Sequence, residues 1–160
     1  MKKQGFTLIE LMVVIVIMGI LAAVAVPKLF GMIAKSKASE VGPAAGEYVK
    51  MQQAYFTEAN AIGGWTVIGY TAPGDGDKTT NFEYSGGVTK NETVTTDQTG
   101  AWKAKNRVNL NDCAQGTDHW TIDVAFTTGS KDLTFDSKVD DATGNAYCSS
   151  LTPSFAQIGK

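Results

Sequence analysis

Glu10 is the side chain whose position most constrains the chemistry of this 160-residue chain. It stands at the start of a long apolar segment: residues 11–27 carry no charge, and Lys2 and Lys3 precede the segment. A carboxylate in the first turn of a membrane-length helix costs free energy unless a cation or hydrogen-bond donor pairs with it. If the helix is buried among neighbouring helices, the carboxylate needs a cation. The position therefore favours a role in assembly over that of a catalytic acid.

Two cysteines and a histidine are the other residues with metal or nucleophile chemistry. Cys113, Cys148 and His119 supply three ligand atoms, one fewer than a structural zinc site uses. His119 stands at the start of a predicted strand and has no evident serine or cysteine partner. The sequence therefore assigns no catalytic residue and no metal to this group.

Aspartates cluster in two regions, and carboxylates are the hard ligands that Ca²⁺ prefers. The first pair, Asp75 and Asp77, lies in a glycine-rich sequence typical of a solvated turn. The second group lies near the C-terminus and comprises Asp132, Asp136, Asp140 and Asp141. Its spacing matches no calcium-binding loop. A solvated acidic loop is favoured, with a calcium site as the alternative.

The length and charge of the chain limit the number of domains and the classes of partner. The chain is long enough for one small core, and it has 14 basic and 16 acidic residues. Arg107 is its single arginine. Contacts with phosphates need clustered Lys and Arg, so no nucleic-acid-binding face is indicated.

The apolar segment is long enough to cross a membrane. About 20 helical residues span a 30 Å hydrocarbon core, and residues 6–26 meet that length. By the positive-inside rule, Lys2 and Lys3 keep the N-terminus in the cytoplasm. Everything after Lys28 then lies on the far side of the membrane.

The helix is predicted to continue beyond the membrane segment. Apolar residues recur at helical spacing at Val41, Ala44, Ala45, Tyr48, Met51, Tyr55, Ala59 and Ile62. With Gly63-Gly64 as the stop signal, the helix extends from Phe6 to about Asn60 and is about 80 Å long. Three places weaken it: Pro27, Gly31 and Gly42-Pro43.

The pattern then changes to a period of two, which predicts an antiparallel sheet. The clearest strand is 119–126, and Leu133 with Phe135 indicates another. Residues 71–100 are predicted to form a surface excursion with one or two weak strands. The remaining strand positions are Trp65, Val67, Tyr70, Trp102, Ala104, Val108 and Leu110. The fold class is α+β, a long N-terminal helix whose second half covers a C-terminal antiparallel sheet.

Gly5-Phe6-Thr7, Glu10 and the charge-free run behind a dibasic leader resemble the N-terminus of type IV pilins and type II secretion pseudopilins. The resemblance covers about the first 30 residues. It implies cleavage after Gly5 by a prepilin peptidase and N-methylation of Phe6. It also places the family's glutamate at Glu10 and its helix-kinking proline at Pro27. Once Glu10 is buried in a filament core, we expect it to pair with the Phe6 amine of its own or an adjacent subunit.

The resemblance divides the chain into four segments. Residues 1–5 are the leader, 6–28 the transmembrane and filament-core helix, 29–62 its amphipathic continuation, and 63–160 a globular β-rich head. Cys113 and Cys148 are expected to form a disulfide, because family members commonly close a C-terminal loop this way and the compartment is oxidising. Two buried free thiols are the alternative.

The expected function is that of a structural subunit of a type IV pilus, without enzymatic activity or cofactor. Its partners are copies of itself, the prepilin peptidase and the inner-membrane pilus assembly machinery. It spans the inner membrane before assembly and lies in a surface pilus afterwards. One alternative is a pseudopilin of a type II secretion system, and another is a secreted or anchored ligand-binding module.

Two other interpretations of the N-terminus compete. An ordinary secretory signal peptide also has a basic start and an apolar stretch, and Ala23-Val24-Ala25 offers it a cleavage site. A simple membrane anchor needs only the apolar run. Glu10 argues against the signal peptide, because its apolar stretch tolerates a carboxylate poorly. The Gly-Phe-Thr before Glu10 argues against the simple anchor, which does not need it.

Overall fold

The computed structural model describes residues 5–127, 129, 132–141 and 147–160. A helical segment of 52 residues runs from Leu8 to Ala59. It consists of α1 (Leu8–Ala38) and α2 (Val41–Ala59), which are separated by two turn residues. The prediction of a long N-terminal helix followed by an antiparallel sheet is confirmed.

The interruption between α1 and α2 has its cause in Pro43. A proline lacks the N–H of the helical ladder, and its ring collides with the carbonyl of the residue four positions back, which here is Ser39. Hydrogen bonds persist on both sides: Ser39 N–H donates to the Lys35 carbonyl at 3.0 Å, and Ala44 N–H to that of Glu40 at 3.4 Å. The helical segment is therefore interrupted for two residues and then continues, as the Gly42-Pro43 signal predicted.

The C-terminus of α2 is set by Asn60 rather than by the glycines predicted to stop it. Asn60 adopts the left-handed conformation (φ 50°, ψ 40°), and its N–H donates to the Phe56 carbonyl at 2.8 Å. Asparagine tolerates this conformation because its short polar side chain can hydrogen-bond locally. Gly63 consequently lies in the first strand, not in a helix cap.

The described residues of the head form two antiparallel sheets. Its strands are β1 (Ile62–Gly63), β2 (Phe82–Ser85), β3 (Thr93–Val94), β4 (Gln98–Asn106), β5 (Trp120–Ala125) and β6 (Thr134–Val139). The main sheet has the order β2-β4-β5-β6, and β1 pairs with β3 in a second, two-stranded sheet. Two short 3₁₀ turns, Ser149–Leu151 and Phe155–Gln157, complete the chain.

The clearest predicted strands are confirmed. In β5, Trp120, Ile122 and Val124 are buried and alternate with partly exposed residues. The strand indicated by Leu133 and Phe135 is β6, which pairs with β5 along its whole length. A buried face of this kind needs a cover on one side of the sheet.

Three strand predictions are corrected. Residues 65–69 form turns, although Trp65 and Tyr70 are buried, because Val67 N–H and Ile68 N–H donate to the Gly64 carbonyl and close local rings. Strand β4 contains Trp102 and Ala104 but ends at Asn106. Val108 and Leu110 therefore lie beyond it.

The segment 71–100 is only partly the surface excursion that its polar composition predicted. It contains two short strands as expected, but β2 is an edge strand of the main sheet. Phe82 and Tyr84 from this strand are 0% and 3% exposed and contribute to the core. Their alternation spans too few residues to stand out among the surrounding threonines and glycines.

The core lies between α2 and the main sheet. α2 contacts β1 and β4, and its buried face comprises Val41, Ala44, Ala45, Tyr48, Gln52 and Phe56. Aromatic rings fill the interior, with Phe82 and Trp120 in edge contact at 5.3 Å and Trp102 against Phe155 at 6.1 Å between centroids. The predicted packing of the second helical half on the sheet is confirmed.

Candidate functional site

The N-terminal helix begins with a reciprocal cap between Thr7 and Glu10. Thr7 precedes α1 in an extended conformation, and its side chain accepts from the Glu10 N–H at 3.4 Å. Glu10 Oε2 in turn accepts from the Thr7 N–H at 2.8 Å and the Thr7 hydroxyl at 2.5 Å. This capping box satisfies donors that the first turn of a helix leaves free. Threonine followed three residues later by glutamate is a sequence signal that predicts it.

Gly5 and Phe6 lie just outside this cap. Residues 5–7 have no regular secondary structure, and the Phe6 side chain is 86% exposed. The peptide bond between Gly5 and Phe6 is therefore accessible and separate from the helix. Lys2 and Lys3 lie outside the described residues.

The N-terminal two-thirds of α1 is an apolar surface that no other described residue of this chain covers. Ala34 and Ala38 are the buried residues of the helix. In the most apolar 18-residue window no residue is buried, and the helix is long and apolar enough to cross a membrane. An exposed apolar surface of this size marks a membrane or protein interaction site.

Pro27 lies within α1, whose helical assignment continues without interruption from Leu8 to Ala38. The helix is not broken there. Pro27 removes one backbone donor from the ladder. Its role as a kink stays a prediction.

The junction between the helices is anchored to the head by Glu40. Glu40 Oε1 accepts hydrogen bonds from the Thr79 hydroxyl at 2.6 Å and from the Tyr84 hydroxyl at 3.0 Å. Burial, together with the adjacent Glu40 carboxylate, raises the pKa of Tyr84 well above its usual value. These contacts join the turn before α2 to the region of strand β2. Sequence reasoning missed Glu40, because nothing in the chain marks its partners 39 and 44 residues away.

A second contact holds α2 to the sheet through Tyr70. The Tyr70 hydroxyl donates to the Ala44 carbonyl at 3.2 Å and accepts from Trp102 Nε1 at 2.9 Å. Burial raises the pKa of Tyr70 to about 12, against the opposing effect of the Trp102 hydrogen bond. The neutral phenol is thus fixed as part of the core.

Cys113 and Cys148 form a disulfide with their Cα atoms 4.9 Å apart, which confirms the expected bridge. His119 is buried beside it, and its ring nitrogens lie 2.6 Å from the Asp140 carbonyl oxygen and 3.0 Å from that of Ala114. The sulfur and nitrogen atoms of this trio lie within 4.8 Å of one another. Sulfurs joined in a disulfide are not thiolates and offer a metal no ligand, so the trio is structural.

The C-terminal aspartates contact different partners. Asp136 forms an ion pair with Lys138 at 2.8 Å, and Asp132 accepts from Gln53. Asp141 accepts from the backbone N–H groups of Cys148 and Ser149 at 2.6 and 3.1 Å. Burial alone would raise the pKa of Asp141, but these hydrogen bonds hold it below the usual range. Within the described residues these carboxylates form no shared ligand cluster.

The N-terminal segment is similar to a known family. Residues 1–26 match the family model of the prokaryotic N-terminal methylation motif. The chain is 42% identical over 69 residues to the type IV major pilin protein PilA of Myxococcus xanthus. It is 36% identical over 97 residues to the type IV major fimbrial protein FimA of Dichelobacter nodosus.

The N-terminal segment is thus similar to that of type IV pilins. The similarity to the Myxococcus pilin covers 39% of this chain and 31% of that protein. For the Dichelobacter pilin the shares are 58% and 60%. The chain thus spans between about a third and three fifths of the length of these pilins. No solved structure gives a significant match.

Proposed function

We propose that this protein is a structural, non-enzymatic subunit of a type IV pilus that polymerises through its N-terminal helix. The observation that carries the proposal is an unpartnered apolar surface on α1 with Glu10 at its first turn, attached to a folded and disulfide-bonded head. Such a surface is stable only in lipid or among other copies. The similarity to type IV major pilins supports the second of these as the final state.

Processing is proposed at the bond between Gly5 and Phe6, which removes residues 1–5. The bond lies in the exposed, irregular stretch before the Thr7 cap, where a membrane peptidase can reach it without unwinding α1. The methylation motif over residues 1–26 supports this position and N-methylation of Phe6. Cleavage creates an α-amine one helical turn from Glu10.

Assembly is proposed to use that amine. In the uncleaved chain Glu10 is already hydrogen-bonded to Thr7, so the carboxylate is oriented at the helix start. After cleavage, the Phe6 amine of the same or an adjacent copy supplies the cation that Glu10 needs once α1 is buried in a filament. Removing one partner of a buried ion pair typically costs about 3–5 kcal/mol, so the pair selects one register of packing.

Before assembly the subunit is proposed to span the inner membrane with its N-terminus in the cytoplasm, on the basis of Lys2 and Lys3. Residues 6–28 form the spanning segment, and Pro27 marks its end. The prepilin peptidase and the inner-membrane pilus machinery are the partners at this stage. The head, with its disulfide, lies on the oxidising side.

A deletion strain tests this proposal. Electron microscopy of the deletion strain is expected to show loss of surface filaments, and expression of the intact gene is expected to restore them. Antibody labelling should place the head along those filaments. Normal filaments in the deletion strain, together with failure to export a folded secreted protein, would support a type II secretion pseudopilin instead.

A further inference from the structure

A groove with one basic wall separates α1 from the head. Lys28 and Lys35, which are seven residues apart and therefore share one face of α1, line it together with Met32. The opposite wall comes from the disulfide-bonded part of the head and includes Asn111 and Tyr147. The groove has a volume of about 360 Å³ and is open to solvent.

The two lysines form no ion pair in the described part of this chain. Neither lies within ion-pair distance of a carboxylate there. Asp112 lines the same groove, where its Oδ2 accepts from the Asn111 amide, but it forms no ion pair with either lysine. Lys28 follows directly on the apolar segment, so burial of that segment brings its ammonium into a drier environment. An unpaired ammonium there is costly.

A matching acidic pair lies further along the same helical segment. Glu40 and Glu47 are also seven residues apart, and neither forms an ion pair among the described residues. Glu47 is exposed. The bonds from Thr79 and Tyr84 both end on Glu40 Oε1, which leaves Oε2 for a cation.

We propose that the basic groove of one copy binds the acidic pair of a second copy, with Lys28 facing Glu40 and Lys35 facing Glu47. This inference rests on the proposed polymerisation. A single displacement of twelve residues, about 18 Å along parallel helices, brings both pairs into register. Because the spacing of seven residues is the same in both pairs, one shift satisfies both contacts.

The geometry of the two faces specifies the kind of assembly. Twelve residues correspond to about one third of a turn around the helix beyond whole turns, so the basic and acidic pairs point in different directions. The contact is therefore heterologous: a copy offers its groove on one side and its acidic pair on another. Heterologous contacts that do not close generate helical filaments rather than dimers. The same spacing prevents Lys35 from reaching Glu47 within one chain.

Carbodiimide cross-linking of native filaments tests the contact directly. The reagent joins a lysine amine to a carboxylate as an amide, and the water lost converts the carbodiimide to a urea. Peptide mapping is expected to find Lys35 joined to Glu47 and Lys28 joined to Glu40 in filaments. Both products should be absent from detergent-solubilised monomers. Filaments in which these lysines are joined only to other carboxylates would overturn the proposal.

Charge exchange provides the second test. Lys35→Glu alone and Glu47→Lys alone are each expected to lower the number of filaments per cell more than about tenfold, because like charges then face each other. The double variant Lys35→Glu/Glu47→Lys should recover most of them. Lys160→Glu is the matched control, because Lys160 is an exposed C-terminal lysine outside the groove.

The outcomes separate this contact from the pilus assignment. If the unmodified chain makes filaments and both single reversals assemble normally, or the exchange restores nothing, the contact is refuted while the pilus assignment stands. If the unmodified chain makes no filaments in its own host, the assignment itself fails. Formation of the Cys113–Cys148 bridge in every variant verifies that the head has folded.

Discussion

Thr7 and Glu10 hold each other in a reciprocal cap in which Glu10 Oε2 receives two hydrogen bonds from Thr7. The carboxylate thus has a local structural role in addition to the charge proposed to pair with the Phe6 amine. The two roles are separable by chemistry. Glutamine is also accepted at this position of a capping box, but it carries no charge.

Glu10→Gln is therefore expected to keep the start of α1 and to lose filament assembly. The amide still accepts from Thr7, whereas the buried amine of a neighbouring copy is left without a counter-charge, at a cost of about 3–5 kcal/mol. Electron microscopy counts the filaments, and membrane fractionation with a cleavage assay verifies insertion and processing. Normal filament numbers in this variant would show that the charge of Glu10 is dispensable.

Thr7→Ala is the complementary control, because it weakens the cap and keeps the charge. Loss of a threonine cap costs about 1 kcal/mol of helix stability. Filaments are expected to persist in this variant if cleavage is unaffected. Equal loss of filaments in Thr7→Ala and Glu10→Gln would indicate that the cap, not the charge, is what assembly requires.

Processing gives a prediction at Gly5. The bond between Gly5 and Phe6 is exposed and lies outside the helix, so a bulky residue at position 5 affects recognition by the peptidase and not the fold. Gly5→Trp is expected to accumulate as uncut precursor in the membrane. Intact mass spectrometry should find the unmodified chain beginning at a methylated Phe6. A mature chain that starts at Val26 would instead establish a secretory signal peptide.

The disulfide supplies a prediction about stability. Removing a native disulfide from a small extracytoplasmic domain typically costs about 2–5 kcal/mol. The double variant Cys113→Ser/Cys148→Ser should therefore lower the free energy of unfolding of the head by that amount, measured by denaturant titration in detergent. Ser150→Ala, a change at an exposed residue close to the bridge, serves as the control. A difference below about 1 kcal/mol between the two would contradict a stabilising role.

The parts of the fold that sequence predicts are those carried by local periodicity. The apolar run of α1, the alternation of Trp120, Ile122 and Val124, and the proline signal at Pro43 all act within a few residues. By contrast, the burial of Phe82 and Tyr84 depends on pairing with β4 far along the chain. No local pattern marks such a contact.

The candidate site divides in the same way. Gly5, Phe6 and Glu10 follow from a linear motif, and the Thr7 cap follows from a four-residue pattern. The anchoring role of Glu40 can be seen only in the folded structure, because its partners Thr79 and Tyr84 come from the region of β2. The groove between α1 and the head likewise exists only once the disulfide-bonded loop is in place.

Alkaline pH is expected to destabilise the head through its buried tyrosines. Burial raises the pKa of Tyr70 to about 12 and raises that of Tyr48 further, whereas tyrosines in the unfolded chain titrate near 10. Below pH 10 both states are protonated and stability is unaffected. Above it the unfolded state loses its protons first, so stability falls by about 1.4 kcal/mol per pH unit for each such tyrosine.

For Tyr70 this loss amounts to roughly 2–3 kcal/mol by pH 12, after which its contribution no longer changes. Tyr70→Phe removes the titrating group, and with it the hydrogen bonds to Ala44 and Trp102. The variant should be less stable at pH 8 but should lose less stability between pH 10 and 12. Denaturant midpoints measured across that range give both quantities, with Tyr147→Phe at a 43% exposed position as control. A pH slope identical to that of the unmodified protein would show that Tyr70 ionises as freely in the folded head as in the unfolded chain.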